Sequence, residues 1–314
     1  MSSAPLYDDL VKGPEGGRAF WIHSGDGVRL RAAIWPRDTA RGTVLCFPGR
    51  TEYVEKYAEA AMSFAGADLA TATIDWRGQG LADRLCADPL LGHVDHFSDY
   101  QKDVAAFRTL AEAQGLPRPW YVIGHSMGGA IALRAVIGGL PVTAAVFSAP
   151  MWGIRMTPPL RALAWSLSWS SRRLGLDQTY APTTSADPYV LTEDLQSNRL
   201  TSDPAMWQFM RDMLDRHPEL GLGGPSLRWL HEALKECRAL MQIPPPDLPA
   251  LCYAGSEEAI VDTDVMRDRM ARWRHGDFLS IPGARHEILM EAPIFRNQTI
   301  AAILDTFAPA VQPA

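Results

Sequence analysis

A mostly parallel sheet with helices on both faces, an α/β fold, is what this sequence predicts, and two observations carry the prediction. Short apolar runs alternate along the chain with segments whose apolar residues recur at helical spacing. That is the rhythm of strand–helix–strand units, whose strands run parallel. At its centre stands Gly124-His125-Ser126-Met127-Gly128-Gly129, between the apolar run 120–123 and the helical stretch that starts at Ala130. A Gly-x-Ser-x-Gly between strand and helix reads as a tight turn that lifts a serine hydroxyl above the end of a strand. It also sets that oxygen at a helix N-terminus, where free N–H groups favour developing negative charge.

The elements follow in order. Residues 19–23 and 28–35 alternate in polarity, and Ser24-Gly25-Asp26-Gly27 between them supplies hairpin chemistry, so an antiparallel pair is expected at one sheet edge. Residues 43–47 read as a buried strand, and Val54, Tyr57, Ala58, Ala61, Met62 and Ala65 as a helix face. Residues 70–75 give the next strand, and Phe97, Tyr100, Val104, Phe107 and Leu110 the next helix. Strands at 120–123 and 142–147 flank the helix after Ser126. The rhythm breaks after Ala149-Pro150. Residues 151–222 are rich in Trp, Met, Leu and Pro without a clear strand, and read as a helical insertion closed by Gly223-Gly224-Pro225. A helix over 227–240, strands at 251–254 and 278–281, and a closing helix marked by Ile300, Ile303, Leu304 and Phe307 complete the core. The expected organisation is a core of residues 1–150 and 223–314 with a helical cap at 151–222.

Composition narrows the function. With 314 residues, 47% of them hydrophobic, the chain can bury a large core. A net charge of −6 and no basic stripe argue against a nucleic-acid partner. The acidic start, Tyr7-Asp8-Asp9, reads as a solvated tail. No signal-peptide pattern and no run of transmembrane length is present. Cys46, Cys86, Cys237 and Cys252 have no metal-ligand spacing, which points to a reducing, cytoplasmic setting. His93 and His96 lack a third ligand in sequence and read as a polar loop, so no metal is expected.

A serine hydroxyl is a poor nucleophile at neutral pH and needs a base. The best placed is His286, in the loop after the last strand; His125 adjoins the serine but points elsewhere. The base needs a carboxylate to fix its tautomer. Glu258 and Asp262 both follow the strand ending at Ala254, and spacing leaves both open. An oxyanion needs two N–H donors. The loop Phe47-Pro48-Gly49-Arg50-Thr51-Glu52-Tyr53 and the start of the helix after the serine offer the amides of Arg50 and Met127.

Four motifs together resemble the α/β-hydrolase superfamily, and within it the monoacylglycerol lipase and lysophospholipase group, over almost the whole chain. They are residues 48–53, Asp75-Trp76-Arg77-Gly78-Gln79-Gly80, the Ser126 turn, and Gly283-Ala284-Arg285-His286-Glu287. The resemblance implies an α/β-hydrolase fold with a helical cap, Ser126 as nucleophile and His286 as base. The family usually places Asp where this chain has Glu258; the extra methylene shifts the carboxylate and keeps Asp262 a candidate. The oxyanion loop opens Pro48-Gly49 where the family commonly has His-Gly, and Asp75 and Arg77 are implied to be structural. The expected function is hydrolysis of carboxylic esters of single-chain lipids, monoacylglycerol or lysophospholipid, through an acyl-enzyme on Ser126, with no cofactor. Residues 164–169, with Arg172 and Arg173 after them, are expected to give the cap a weak peripheral contact with the inner face of a membrane. The alternatives are a short-chain carboxylesterase or a proline-type aminopeptidase on the same residues and, from another class, a non-catalytic binding protein of the same fold. The sequence assigns no oligomeric state.

Overall fold

The computed structural model describes residues 1–308; residues 309–314, which the sequence assigns to the core, lie outside them. Among the described residues nine strands form one sheet: β1 (Ser2–Ala4), β2 (Arg18–His23), β3 (Arg29–Trp35), β4 (Thr43–Phe47), β5 (Ala70–Asp75), β6 (Trp120–His125), β7 (Ala144–Ser148), β8 (Ala250–Gly255) and β9 (Gly276–Ile281). Their spatial order is β1-β2-β3-β5-β4-β6-β7-β8-β9. The pairings from β1 to β5 are antiparallel, and all those from β5 to β9 are parallel. β4, β6, β7 and β8 are buried along their whole length, because helices cover both faces of the parallel part.

The α-helices of the described residues are α1 (Ala58–Ala65), α2 (Tyr100–Ala113), α3 (Met127–Ile137), α4 (Pro158–Arg173), α5 (Tyr189–Thr192), α6 (Pro204–Arg216), α7 (Leu227–Gln242), α8 (Thr263–Met270) and α9 (Pro293–Phe307). One apolar cluster gathers Phe47, Phe107, Phe147 and Trp152, a second gathers Val44, Phe64, Tyr121 and Phe307, and a smaller third gathers Tyr53, Met213, Leu214 and Leu220. Between β7 and α7 the chain carries α4, α5 and α6 and no strand, only single bridges such as Ile154 to Val261. α4 packs along α7. Asp203 caps α6 ahead of Pro204, and Ser226 caps α7 through the Trp229 amide. No helix of the described residues is long and apolar enough to cross a membrane.

Two expectations are corrected. The antiparallel pair β2–β3 is not the sheet edge, because the three-residue β1 pairs outside it, with Ser3 opposite Phe20. A strand that short leaves no readable periodicity. The acidic start is not a solvated tail either. The Tyr7 amide donates to Glu55 at 3.1 Å, its hydroxyl donates to Glu219 at 2.6 Å, and its ring stacks on His217 at 3.8 Å. Asp9 pairs with Arg216 at 3.0 Å. The N-terminal segment thereby ties the inserted helices to the core.

One buried cation organises this side of the sheet. Arg31, fully buried, donates to Asp75 at 2.7 Å and to both oxygens of Glu55 at 2.7 and 2.9 Å. Asp75 also accepts from the amides of Val54 at 2.9 Å and Leu81 at 2.8 Å, and Arg77 is held by Asp103 and Asp26. Removing one member of a buried ion pair strands the other without water or counter-charge. Arg31→Met is therefore expected to lower the unfolding free energy by about 3–5 kcal/mol in a urea titration. A loss below about 1 kcal/mol would place the charges in contact with solvent.

Candidate active site

Ser126 occupies the single residue between β6 and α3, with φ 50° and ψ −118°. That backbone is strained for a residue with a Cβ and costs on the order of 1–3 kcal/mol. The packing around the turn enforces it. A Cβ on Gly128 would fall 2.0 Å from the Phe47 carbonyl oxygen, and one on Gly129 would fall 2.5 Å from Pro150 Cβ. The Ser126 amide donates to Ser148 O at 3.0 Å, and its carbonyl accepts from Gly129 and Met151. Both backbone groups of Ser126 are thus engaged, and the residue borders a cavity.

β8 and β9 are parallel neighbours, so the loops after them leave the same end of the sheet. One carries Glu258 and the other His286, and Nδ1 of His286 lies 2.7 Å from Oε2 of Glu258 with both residues buried. The other carboxylate oxygen accepts from the amides of Ile260 at 2.7 Å and Val261 at 3.1 Å. Burial alone would lower the His286 pKa, but the charge and hydrogen bond of Glu258 outweigh it and hold the ring above its ordinary 6.5. Burial would likewise raise Glu258, yet the facing His286 and its own loop amides keep it below the usual carboxylate value. Asp262 stands elsewhere. It caps α8 through the Asp264 amide at 3.2 Å and faces Arg161 at 3.4 Å. His286 and Ser126 border the same cavity, and their side chains are not hydrogen-bonded to each other in this structure. His125 turns away to Ser148, and burial, aided by His286 and Lys56, drops it to about 4, so it stays neutral.

The amides of Arg50 and Met127 are engaged by no other group of the described chain, and both residues border the cavity. Their loop is braced from below. Trp76 donates to Pro48 O at 2.9 Å, Gln79 donates to Gly49 O at 2.8 Å, and the Gly49 amide donates to the Glu52 carboxylate. Glu52 also accepts from Tyr57 at 2.9 Å and pairs with Lys56 at 2.9 Å; Lys56 reaches on to Glu287 at 2.7 Å. Sequence reading missed this buried Glu52–Lys56–Glu287 chain, which joins the loop of residues 48–53 to the neighbour of His286. Carboxylates of Glu52 and Glu287 and the His125 ring come close enough to suit a metal ion, but the Lys56 ammonium already bridges the two carboxylates. His93, singled out with His96 in the sequence, is buried and bonds Ser226 Oγ at 2.9 Å, beside the α7 cap.

The cavity above Ser126 measures about 450 Å³. Its floor is Ser126, Met127 and His286, and its far wall includes Met156, Val190, Met210, Leu214 and Leu222 from the inserted segment. Trp152 and Trp207 pack in the interior instead. Glu287 is the only carboxylate among the lining residues, and Arg199 lines the cavity with no partner for its guanidinium among the described residues.

A family model described as Hydrolase_4, serine aminopeptidase S33, matches residues 38–293. The chain is 34% identical over 296 residues to lysophospholipase L2 of Escherichia coli K12, covering 89% of this chain and 83% of that one. It is 28% identical over 279 residues to a probable lysophospholipase L2 of Haemophilus influenzae, covering 88% and 87%. Among solved structures it is similar to a soluble variant of monoglyceride lipase from Saccharomyces cerevisiae in complex with a substrate analog, with a TM-score of 0.74 at 22% identity over 99% and 100% of the two chains.

The two carboxylates separate in one titration. By NMR, the His286 imidazole is expected to titrate above 6.5, to fall in Glu258→Gln as burial loses its main opponent, and to stay in place in Asp262→Asn. A His286 midpoint that moves with Asp262 and ignores Glu258 would contradict the geometry.

Proposed function

We infer the function from one premise: the chain belongs to the serine aminopeptidase S33 family of α/β-hydrolases. It is an ester hydrolase. We propose that it cleaves the carboxylic ester of single-chain lipids through an acyl-enzyme on Ser126, with residues 151–222 as the cap over the site. One observation carries this reading: a serine held in a strained turn, beside a buried His–Glu pair, opens into a 450 Å³ cavity of largely apolar walls. In this reading His286 Nε2 takes the Ser126 proton as Oγ attacks the ester carbonyl. Glu258 on Nδ1 stabilises the imidazolium. The Arg50 and Met127 amides receive the oxyanion. The imidazolium then protonates the leaving alcohol, and water activated by His286 releases the fatty acid. The Ser126–His286 contact closes when substrate arrives, as catalytic hydrogen bonds often do. The four free thiols suit a reducing compartment.

The rival substrates fit less well. An aminopeptidase must pair the free amine of its substrate with a carboxylate. Glu287, the one carboxylate at the cavity, is tied to Lys56. A pure binding protein would have no use for a strained serine next to a buried ion pair. Within lipid esters, the unpartnered Arg199 favours a head group carrying phosphate. The curated relatives named lysophospholipase L2 support the same choice.

Fatty-acid release from a monoacylglycerol and from a lysophospholipid, side by side, tests the reading. Ser126→Ala is expected to abolish release from both, and release above background in that variant would end it. Arg199→Gln is expected to slow lysophospholipid turnover about tenfold, the loss of one partly exposed charge-assisted hydrogen bond, while monoacylglycerol turnover changes little. Equal losses on both substrates would remove Arg199 from head-group selection.

A further inference from the structure

A second cleft lies between α4 and α7 and shares no lining residue with the Ser126 cavity. It measures about 470 Å³. α4 contributes Trp169, Arg172 and Arg173; α7 contributes Arg228, His231, Glu232 and Lys235. Four cations face one carboxylate here, on a chain whose net charge is −6. Arg228 is the telling member. It is only 4% exposed, and its Nε donates to Asp95 O at 2.7 Å. Its two terminal nitrogens make no hydrogen bond among the described residues, so a guanidinium anchored at Nε borders the cleft with donors to spare. Arg172 is likewise unpaired, while Lys235 spends its charge on Glu232 at 2.9 Å and Arg173 lies over the Trp169 ring at 3.7 Å. The cleft's field is visible on His231. Burial lowers its pKa, and Lys235, Arg228 and Arg172 add to that against the pull of Glu232.

The rim of the cleft is of opposite character. Trp169 is 53% exposed, and Leu174 and Leu176, which follow Arg172 and Arg173, are 69% and 49% exposed. Leu160 and Leu163 on the same helix are also exposed. A soluble anion would require the cations and have no use for this apolar fringe. A bilayer with anionic lipids uses both, since cations take the phosphates and Trp and Leu side chains enter the head-group boundary. We propose that the α4–α7 cleft binds the phosphate of an anionic phospholipid at a bilayer surface, with Trp169, Leu174 and Leu176 seated in the interface. The site goes beyond the hydrolase reading and does not depend on it. It would hold the protein at the surface where single-chain lipids collect.

Vesicle co-sedimentation of the Ser126→Ala protein tests the proposal without any turnover, so its failure and the failure of the hydrolase reading are separate results. Binding is expected to vesicles that contain phosphatidylglycerol and to be weak with phosphatidylcholine alone. The double variant Arg172→Glu, Arg173→Glu is expected to weaken it at least about tenfold, since each surface cation contributes a severalfold factor. Trp169→Ser is expected to weaken it as well. The same double charge variant on a Ser126-intact chain should still cleave a soluble short-chain ester, which reports that it is folded. Equal binding to both vesicle types, or binding that survives the charge reversal, would overturn the site. Saturable binding of soluble glycerol phosphate with no response of vesicle binding to Trp169→Ser would overturn the bilayer in favour of a free anion.

Discussion

The left-handed backbone at Ser126 is the constraint on which the other parts of the site rest. The turn is possible only because α3 starts in contact with β4: the Gly128 Cα abuts the Phe47 carbonyl so closely that no Cβ fits. The same contact brings the start of α3 beside the loop leaving β4. Met127 and Arg50, distant in sequence, therefore offer their amides to one cavity. Strain of on the order of 1–3 kcal/mol is small against the burial of the strands and helix on either side, which is how the fold sustains it.

Buried charge then sets the loops around that turn. Glu52 holds the Gly49 amide, Lys56 bridges Glu52 to Glu287, and Glu287 adjoins His286. Burial would drive Lys56 towards neutrality, but Glu287 and Glu52 outweigh it and raise its pKa, so Lys56 keeps its charge. A buried ionic chain of this kind adds little net stability compared with apolar packing, and its value here is geometric. It fixes the distance between the loop of residues 48–53 and the loop that carries His286. Arg31, Asp75 and Glu55 do the same work one layer out, where Asp75 holds the Val54 amide at the end of the loop of residues 48–53.

Much of this was legible in the sequence, because strand–helix alternation and the Gly-x-Ser-x-Gly turn are local patterns. The parallel strands and the antiparallel hairpin follow from periodicity and turn chemistry. What escaped was long-range or short. β1 has three residues, and the Lys56–Glu287 bond joins positions 231 apart. Tyr7 and Asp9 look like any acidic tail until Glu219 and Arg216 fold against them. The choice between Glu258 and Asp262 was closed to spacing alone, since the extra methylene of Glu258 lets one oxygen stay with its own loop amides while the other meets His286. A signal against Asp262 was present: Asp262-Thr263-Asp264 reads as a helix N-cap, and α8, short and highly charged, gave no apolar stripe to reveal it.

The most direct test of the whole account is to quench the protein in acid during turnover of a lysophospholipid and to map the bound acyl group by peptide mass spectrometry. The expected result is one acyl mass on the peptide that carries Ser126 and on no other. Hydrolysis that proceeds with no acylated peptide, or with the acyl group on a different residue, would contradict it.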